Sequence, residues 1–253
     1  MTVVALLADP PREGAALPAL PETSPLSSVE AAELYTAMLE DAIRTVLDSG
    51  GTLIVNYLPE TLLPEAQRTG ESVKASLRAI AANATDAVDE LRFEPQVGSS
   101  PAARVGNTIT HLLEEEQARS AAVLRPTVPL LERSHIDSAA MKLRRHDVVL
   151  GPASDGRWHF AGFGSPIDFE NALEHPPIET LAARAVEAGR STEFLPLLSL
   201  VETGDDLATL LSLLAARQHA DRRVPAATTA ALERFDLRVE QGGETSEPDL
   251  VRG

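Results

Sequence analysis

The sequence predicts one α/β domain, a three-layer sandwich in which helices cover both faces of a mostly parallel, mixed sheet. β-branched and aliphatic runs alternate with amphipathic stretches along most of the 253 residues. This order is typical of parallel strands that are joined by helices. The pair Asp155-Gly156 between two apolar runs predicts a hairpin, so one strand is expected to be antiparallel. Residues 1–239 contain no obvious linker and form the predicted domain, whereas the Gly-, Glu- and Ser-rich tail 240–253 is expected to be disordered.

Caps and stop signals delimit the elements in the first half of the chain. Ser27 stands three residues before Glu30, a capping-box spacing that begins a helix, and Gly50-Gly51 ends it. Ser100-Pro101 combines a cap with proline at the first helical position. The predicted elements are strands 2–8, 52–58 and 91–97, a helix from about 28 to 49, a mostly helical region 64–90 and a helix from 101 to about 117.

The second half continues the alternation and ends with two helices. Thr203 and Asp206 repeat the capping-box spacing and begin the first of them. The predicted elements are strands 121–131, 147–152, 157–163 and 194–201, and helices 136–145, 177–190, 203–218 and 226–235.

Composition restricts the partners that the protein can have. The net charge is −16 and lysine occurs only at positions 74 and 142, so no nucleic-acid partner is expected, because such binding needs a basic surface. Acid enrichment with few lysines indicates a halophilic host, although an ordinary acidic cytosolic protein also fits. The absence of cysteine excludes disulfides and thiolate metal sites. No signal-peptide pattern or apolar run of about 18–20 residues occurs, so we expect a cytoplasmic location and no membrane partner. The oligomeric state stays open.

Common phosphate and catalytic motifs are missing from the sequence. There is no Gly-Lys pair of a P-loop, and Gly162-Phe163-Gly164 lacks the third glycine of a dinucleotide fingerprint. No serine stands in a nucleophile-elbow motif. The six histidines show no i, i+4 pair of the kind that binds zinc.

Four stretches of the chain, taken in order, form a recognisable pattern that covers most of residues 1–215. They are Ala31–Tyr35 with Met38–Asp41, Pro95-Gln96 with Arg104 and Asn107, Gly151-Pro152-Ala153-Ser154-Asp155-Gly156, and Leu195–Val201 with Thr203 and Asp206-Leu207. The pattern resembles the glycosyltransferase-A-like family known as the radical-SAM/selenodomain-associated transferases, whose core motif is Gly-Pro-Ala-x-Asp-Gly. The resemblance implies a Rossmann-like nucleotide-diphospho-sugar transferase fold. It also implies metal-assisted sugar or nucleotidyl transfer with Mg²⁺ or Mn²⁺.

The chain departs from the family in the loop after the first strand, which holds phosphates in the family. The family has a Lys, a Gly and then Lys-Thr-Arg-Leu. The corresponding residues here are Asp9, Gly14 and Leu17-Pro18-Ala19-Leu20, and Arg12 is the only cation nearby. Every cation of the motif is therefore lost.

A second departure affects the expected metal ligand. The family has Gly-Ser/Thr-Asp-Ser-Pro after a central strand, and its aspartate is expected to bind the metal. Here the stretch is Arg125-Pro126-Thr127-Val128-Pro129, so Thr127 takes the place of the aspartate. A neutral hydroxyl is a poor anchor for Mg²⁺, which makes the divalent cofactor doubtful. Loss of both cations and metal would slow transfer on the order of 10³-fold or more.

Two further departures complete the candidate site. Trp158-His159 stands where the family has two tyrosines, and Glu202 stands where the family has the last aspartate of an Asp-Val-Asp motif. The catalytic candidates are Asp155 and His159, the ligand-binding candidates are Arg12, Gln96, Arg104, Arg125, Gly151 and Gly156, and the metal candidate is Glu202. Several of these candidates have a structural alternative. Asp155-Gly156 also suits a plain turn, Gln96 and Arg104 suit capping or surface roles, and Arg125 suits a solvated strand end as well as phosphate binding.

The hypothesis that follows is a divergent glycosyltransferase-like protein that binds a nucleotide or nucleotide sugar with catalysis weakened or lost. One rival is a working transferase with a site rebuilt from Arg125, Asp155, His159 and Glu202. Another is a non-catalytic scaffold that keeps only the fold.

We predict that the thermal unfolding midpoint rises with salt. The net charge of −16 makes the folded surface repel itself, and raising KCl from about 0.01 M to about 1 M shortens the Debye length from about 30 Å to about 3 Å. Calorimetry across that range measures the midpoint. A flat or falling curve would contradict the salt-adapted interpretation.

Overall fold

The aliphatic runs of the sequence become the inner strands of a seven-stranded sheet in the computed structural model, which describes residues 2–241 and 248–253. The strands are β1 Thr2–Ala8, β2 Thr52–Tyr57, β3 Arg92–Pro95, β4 Ser120–Leu124, β5 Val148–Pro152, β6 Trp158–Phe163 and β7 Thr192–Phe194. Their order is β3-β2-β1-β4-β6-β5-β7. Only β6 runs antiparallel to its neighbours. The predicted mixed, mostly parallel sheet is confirmed.

Helices cover both faces of this sheet, as the sequence predicts. They are α1 Leu20–Thr23, α2 Ser28–Asp48, α3 Val73–Ala84, α4 Pro101–Thr110, α5 Arg133–Lys142, α6 Pro177–Glu187, α7 Gly204–His219 and α8 Ala226–Phe235. The larger core cluster contains buried side chains of α2, α3, α5, α7 and α8, and the smaller one contains those of α4 and α6. Alternate residues of β1 enter the two clusters, Val4 and Leu6 the first and Ala5 the second, because successive strand side chains point to opposite faces. Within the described residues, no helix has the length and apolarity that crossing a membrane requires.

The helix caps predicted from spacing are present. Ser27 and Glu30 form the capping box of α2, and Thr203 and Asp206 form that of α7. The side chain of Ser100 caps α4, which begins with Pro101. The predicted hairpin is also confirmed: β5 and β6 are antiparallel, and the residues between them include Asp155 at φ 57° and Gly156 at φ 69°.

The predicted strand 121–131 is too long, because β4 ends at Leu124, just before Arg125-Pro126. The predicted strand 194–201 is wrong except at Phe194, because β7 is Thr192–Phe194 and ends just before Leu195-Pro196. Proline has no N–H to donate to a sheet ladder. The region 64–90 is helical mainly in α3, and the helix that begins at Pro101 ends in a wider turn, His111–Glu115.

The prediction of a disordered tail is wrong for the part that the structure describes. Strand β8, Leu237–Gln241, pairs antiparallel with β9, Pro248–Arg252. Leu237 and Leu250 pack against the larger core cluster, and Arg252 donates a hydrogen bond to Glu30 at 2.5 Å. The composition of the tail could not predict these contacts, because they are made with α2 and its neighbours, which are far from the tail in the chain. Residues 242–247 of the predicted tail lie outside the described residues.

Helix α8 depends on a carboxylate from another helix. Its N-cap is Pro225, which offers no side-chain cap. Instead Asp41 of α2, 7% exposed, accepts hydrogen bonds from the backbone N–H groups of Ala227 and Thr228 and from the hydroxyl of Thr228. A buried cap of this kind satisfies the free N–H groups of a helix start and fixes α8 on α2.

We predict that Asp41→Ala lowers the free energy of unfolding by about 2–3 kcal/mol, because it leaves buried donors without a partner. Urea unfolding measures the change. The matched control is Asp48→Ala on the same helix, whose exposed carboxylate is 3.8 Å from Arg223, and we expect a change within about 0.5 kcal/mol there. Equal effects of the two substitutions would contradict the capping role.

Candidate functional site

A cavity of about 500 Å³ opens at the carboxyl ends of the parallel strands. The strand order turns back between β1 and β4, and open α/β sheets bind ligands at such a reversal. Asp9 follows β1 and Arg125 follows β4, so the two residues lie on either side of the reversal, and both line the cavity. Trp158 begins β6 and lies at the same edge because β6 is antiparallel.

Arg104 is the cation in the cavity wall that keeps its guanidinium free. It lies in the first turn of α4 and is half-buried. Among the described residues its side chain forms no hydrogen bond or ion pair. Partial burial lowers the pKa of Arg104, and the charge of Asp9 opposes that shift. A partly buried, unpaired guanidinium is favourable only if an anion approaches it.

The segment before α4 holds Arg104 in place. Gly98 has φ +142°, and a Cβ there would lie 2.8 Å from the backbone N of Arg104. Asn107 donates a hydrogen bond to the carbonyl of Val97 at 2.8 Å. Gln96 is buried at the end of β3 and donates to the carbonyl of Asn56 at 2.9 Å. The loop therefore lies directly on the first turn of α4, which only glycine at position 98 permits.

Asp9 faces Arg104 across the cavity. Its backbone N–H donates to the hydroxyl of Tyr35 at 2.7 Å, but its carboxylate has no hydrogen-bond partner in the part of the chain that the structure describes. The residue is open to solvent through the cavity, yet the surrounding protein displaces much of the bulk water. This desolvation raises the pKa of Asp9 to about 6, against the opposing charges of Arg125 and Arg104.

Arg125 is oriented by three contacts. Its backbone N–H donates to the carbonyl of His159 at 2.9 Å, continuing the β4–β6 ladder. Its guanidinium lies over the ring of Trp158, 5.9 Å from the ring centroid, and forms an ion pair with Glu202. The guanidinium therefore points into the cavity with its charge already matched.

Glu202 is shared between two arginines. Its other oxygen lies 3.3 Å from Arg157, and Arg157 binds Asp206 through two hydrogen bonds of 2.6 and 2.8 Å. Asp206 also accepts from the backbone N–H groups of Glu202 and Thr203, and the Arg157 guanidinium helps to lower the pKa of Asp206 against the burial that raises it. The result is a chain of alternating charges that ends in the cavity.

These residues do not fit a divalent metal. Glu202, the predicted metal candidate, uses both carboxylate oxygens for arginines. Thr127 offers a neutral hydroxyl, and Asp9 is the remaining carboxylate in the wall. In residues 2–241 and 248–253 no cluster of three or more histidine or acidic side chains could hold an ion. Mg²⁺ prefers carboxylate ligands, so the donor set is insufficient.

The structure brings four of the predicted site residues together in the cavity: Gln96, Arg104, Arg125 and Glu202. Arg12 lies elsewhere, bound to Glu60 at 2.5 Å, to Thr69 and to the carbonyl of Gln67. It links the loop after β1 to the loop after β2 and is committed to that structural role.

The two catalytic candidates and the two glycines also lie outside the cavity. The side chain of Asp155 is 80% exposed at the tip of the hairpin. His159 is fully buried, with Nε2 3.2 Å from the carbonyl of Pro196, and burial lowers its pKa to about 4. A Cβ on Gly151 would overlap the ring of His159, and one on Gly156 would lie 2.5 Å from Pro176. Both glycines are therefore required for packing.

The wall residues that were not predicted as site residues include three polar ones, Asp9, Tyr35 and Thr127. Asp9 stands where the family has a lysine, and its position at a strand end is a usable signal. Tyr35 and Thr127 come from a helix and a proline-rich turn, and Thr127 is 5% exposed with no partner for its hydroxyl among the described residues. Only the folded structure shows that these hydroxyls lie beside Asp9 and Arg125.

A larger cavity, of about 770 Å³, lies between α2, α5 and the segment before α8. Its wall contains five arginines. Four of them are already paired with carboxylates, namely Arg44, Arg133, Arg217 and Arg223. We therefore assign the functional site to the smaller cavity at the sheet edge.

Comparison with known proteins supports the fold. The model of an uncharacterised protein family conserved in bacteria, DUF2064, matches residues 68–174. No curated protein matches the chain in sequence. A solved structure of a candidate nucleotide-diphospho-sugar transferase from Desulfovibrio desulfuricans G20 has a TM-score of 0.74 at 17% identity, over 93% of this chain and 95% of that chain.

Two further structures share the architecture at lower similarity. A cytidylyltransferase from Leptospira borgpetersenii serovar Hardjo-bovis has a TM-score of 0.50 at 11% identity, over 92% of this chain and 94% of that chain. A 4-diphosphocytidyl-2C-methyl-D-erythritol synthase from Anaerococcus prevotii DSM 20548 has a TM-score of 0.50 at 9% identity, over 85% and 96%. The association with radical-SAM proteins stays a prediction. The mixed seven-stranded sheet and these similarities show that the chain has the nucleotide-diphospho-sugar transferase fold.

Proposed function

We propose that the protein binds a nucleotide or nucleotide sugar in the cavity at the sheet reversal, with its phosphates beside Arg104 and Arg125. The observation that carries the proposal is the unpaired, half-buried guanidinium of Arg104 in a cavity at the carboxyl ends of the strands. Guanidinium groups match phosphate oxygens in geometry and charge. Partial burial makes this cation costly to leave without an anion beside it.

The size and walls of the cavity support this class of ligand. Its volume of about 500 Å³ lies within the range of small-molecule sites. Apolar side chains such as Leu17, Val105 and Leu173 form part of its wall and suit a base or a sugar face. The names of the similar structures denote transfer of nucleotides and sugars, which favours the same ligands here.

We propose further that catalysis is weakened. The donor set lacks the carboxylates for a metal, and the loop after β1 supplies Asp9 instead of a cation. The rival with a rebuilt site needs Asp155 and His159, which lie outside the cavity. The cytoplasmic location and the absence of a nucleic-acid partner belong to the same proposal.

We predict that Arg104→Ala weakens binding of a nucleotide-diphospho-sugar about tenfold or more, the usual effect of losing a charge-assisted hydrogen bond. Calorimetry with UDP-, GDP- and CDP-sugars identifies the ligand and measures the affinity. Arg145→Ala is the matched control, because this exposed arginine precedes β5 at the opposite edge of the sheet. Absence of binding by the unmodified protein across the panel would favour the scaffold rival and contradict the proposal.

We predict that binding of the same ligand tightens as pH falls from about 8 to about 5, and that Asp9→Asn removes this dependence. The pKa of Asp9 is about 6, so its carboxylate is charged above that pH and repels phosphate, and it is neutral below it. The charged or titratable groups that face Asp9 are Arg104, Arg125, Glu202 and Tyr35. A pyrophosphate diester has no proton to lose in this range, so the ligand does not obscure the effect.

The same substitution has a stability readout. Because the folded-state pKa of Asp9 is raised above its ordinary value of 3.8, the folded protein loses stability as pH rises through the interval between the two values. Asp9→Asn should therefore raise the unfolding midpoint above pH 6 and change it little near pH 4. A pH profile of affinity that Asp9→Asn leaves unchanged would show that another group controls it.

A further inference from the structure

The position of Arg125 is fixed by several contacts, but its charge is neutralised by a single ion pair. Within the described part of the chain, Glu202 is the one side chain that forms an ion pair with its guanidinium. The ring of Trp158 and the backbone bond to His159 hold the rest of the residue. If Glu202 moved away, Arg125 would keep its position and present a free cation to the cavity.

Glu202 has a second partner that cannot follow Arg125. Arg157 lies 3.3 Å from Glu202 and is fixed by the two-point ion pair with Asp206. Glu202 also precedes Thr203, the N-cap of α7, where the helix dipole favours a negative charge. Release of Arg125 therefore leaves Glu202 with one arginine and a favourable helix end.

We propose that Glu202 is an internal counter-ion that occupies the phosphate subsite of Arg125 and is displaced when the pyrophosphate of the ligand binds. The inference rests on the proposed function. It describes the state of Arg125 when no ligand is bound. Arg125 exchanges one anion for another, and Arg157 retains Glu202. Thr127 belongs to the same wall, and its hydroxyl is buried without a hydrogen-bond partner among the described residues. No divalent ion is required.

The test measures binding of inorganic pyrophosphate in the presence of EDTA. We expect Glu202→Gln to bind it about five- to tenfold more tightly than the unmodified protein, because a part-exposed ion pair no longer has to be broken. Measurement at about 1 M KCl suppresses the long-range effect of removing one negative charge. The matched control is Glu40→Gln, which removes a carboxylate of similar exposure paired with Arg44 on α2 and should leave the affinity unchanged.

A second variant assigns the gain to Arg125. In Arg125→Gln the further change Glu202→Gln should bring no increase in affinity, since the freed cation is absent. If Glu202→Gln instead weakens binding or leaves it unchanged in the otherwise unmodified protein, the counter-ion role is wrong. Binding that appears only with Mg²⁺ and disappears in Glu202→Gln would show that Glu202 is a metal ligand and would also overturn it.

The outcome separates this inference from the proposed function. If sugar nucleotides bind normally and Glu202→Gln has no effect, only the counter-ion role fails. If neither the unmodified protein nor Glu202→Gln binds pyrophosphate or any member of the nucleotide panel, both fail. Thermal unfolding of Glu202→Gln without ligand shows that the variant is folded, so that a negative binding result counts against the inference.

Discussion

The two-point ion pair between Arg157 and Asp206 determines the geometry of the cavity wall. It joins the β5–β6 hairpin to the first turn of α7, and these segments are 49 residues apart in the chain. Asp206 also accepts the backbone N–H groups of Glu202 and Thr203, so the same carboxylate begins the helix and aims Glu202 at Arg125. A charge-assisted, bidentate pair has the strength and direction for this task. The placement of Glu202 against Arg125 depends on this pair.

The cavity is also notable for two charges that the protein leaves unmatched. Asp9 and Arg104 face each other without direct contact, and each has a pKa displaced by desolvation. Each charge offsets part of the desolvation cost of the other. A ligand of the proposed class would have to match both, for example with a phosphate toward Arg104 and a hydroxyl donor toward Asp9.

The fold and the chemistry of the site depend on different residues. The fold is shared with solved structures at identities of 17% and below, because buried aliphatic strands and capped helices tolerate many sequences. Side chains at the sheet edge are free of that constraint. Here they form a wall that contains Arg104 and Arg125 together with Asp9 and Glu202. The function therefore depends on the side chains of the site, such as Arg104 and Arg125, and not on the fold alone.

The sequence by itself determined the elements, because local patterns produce them: the capping boxes at Ser27 and Thr203, the turn at Asp155-Gly156 and the strand–helix alternation. It also predicted Gln96, Arg104, Arg125 and Glu202 as site residues, and the structure brings them together in one cavity. Only the tertiary structure decided that Arg12 is paired elsewhere, that His159 is buried, and that strands β8 and β9 dock on the core. Those outcomes depend on contacts between residues far apart in the chain. Burial and pairing of charge are properties of such contacts, so no local pattern could specify them.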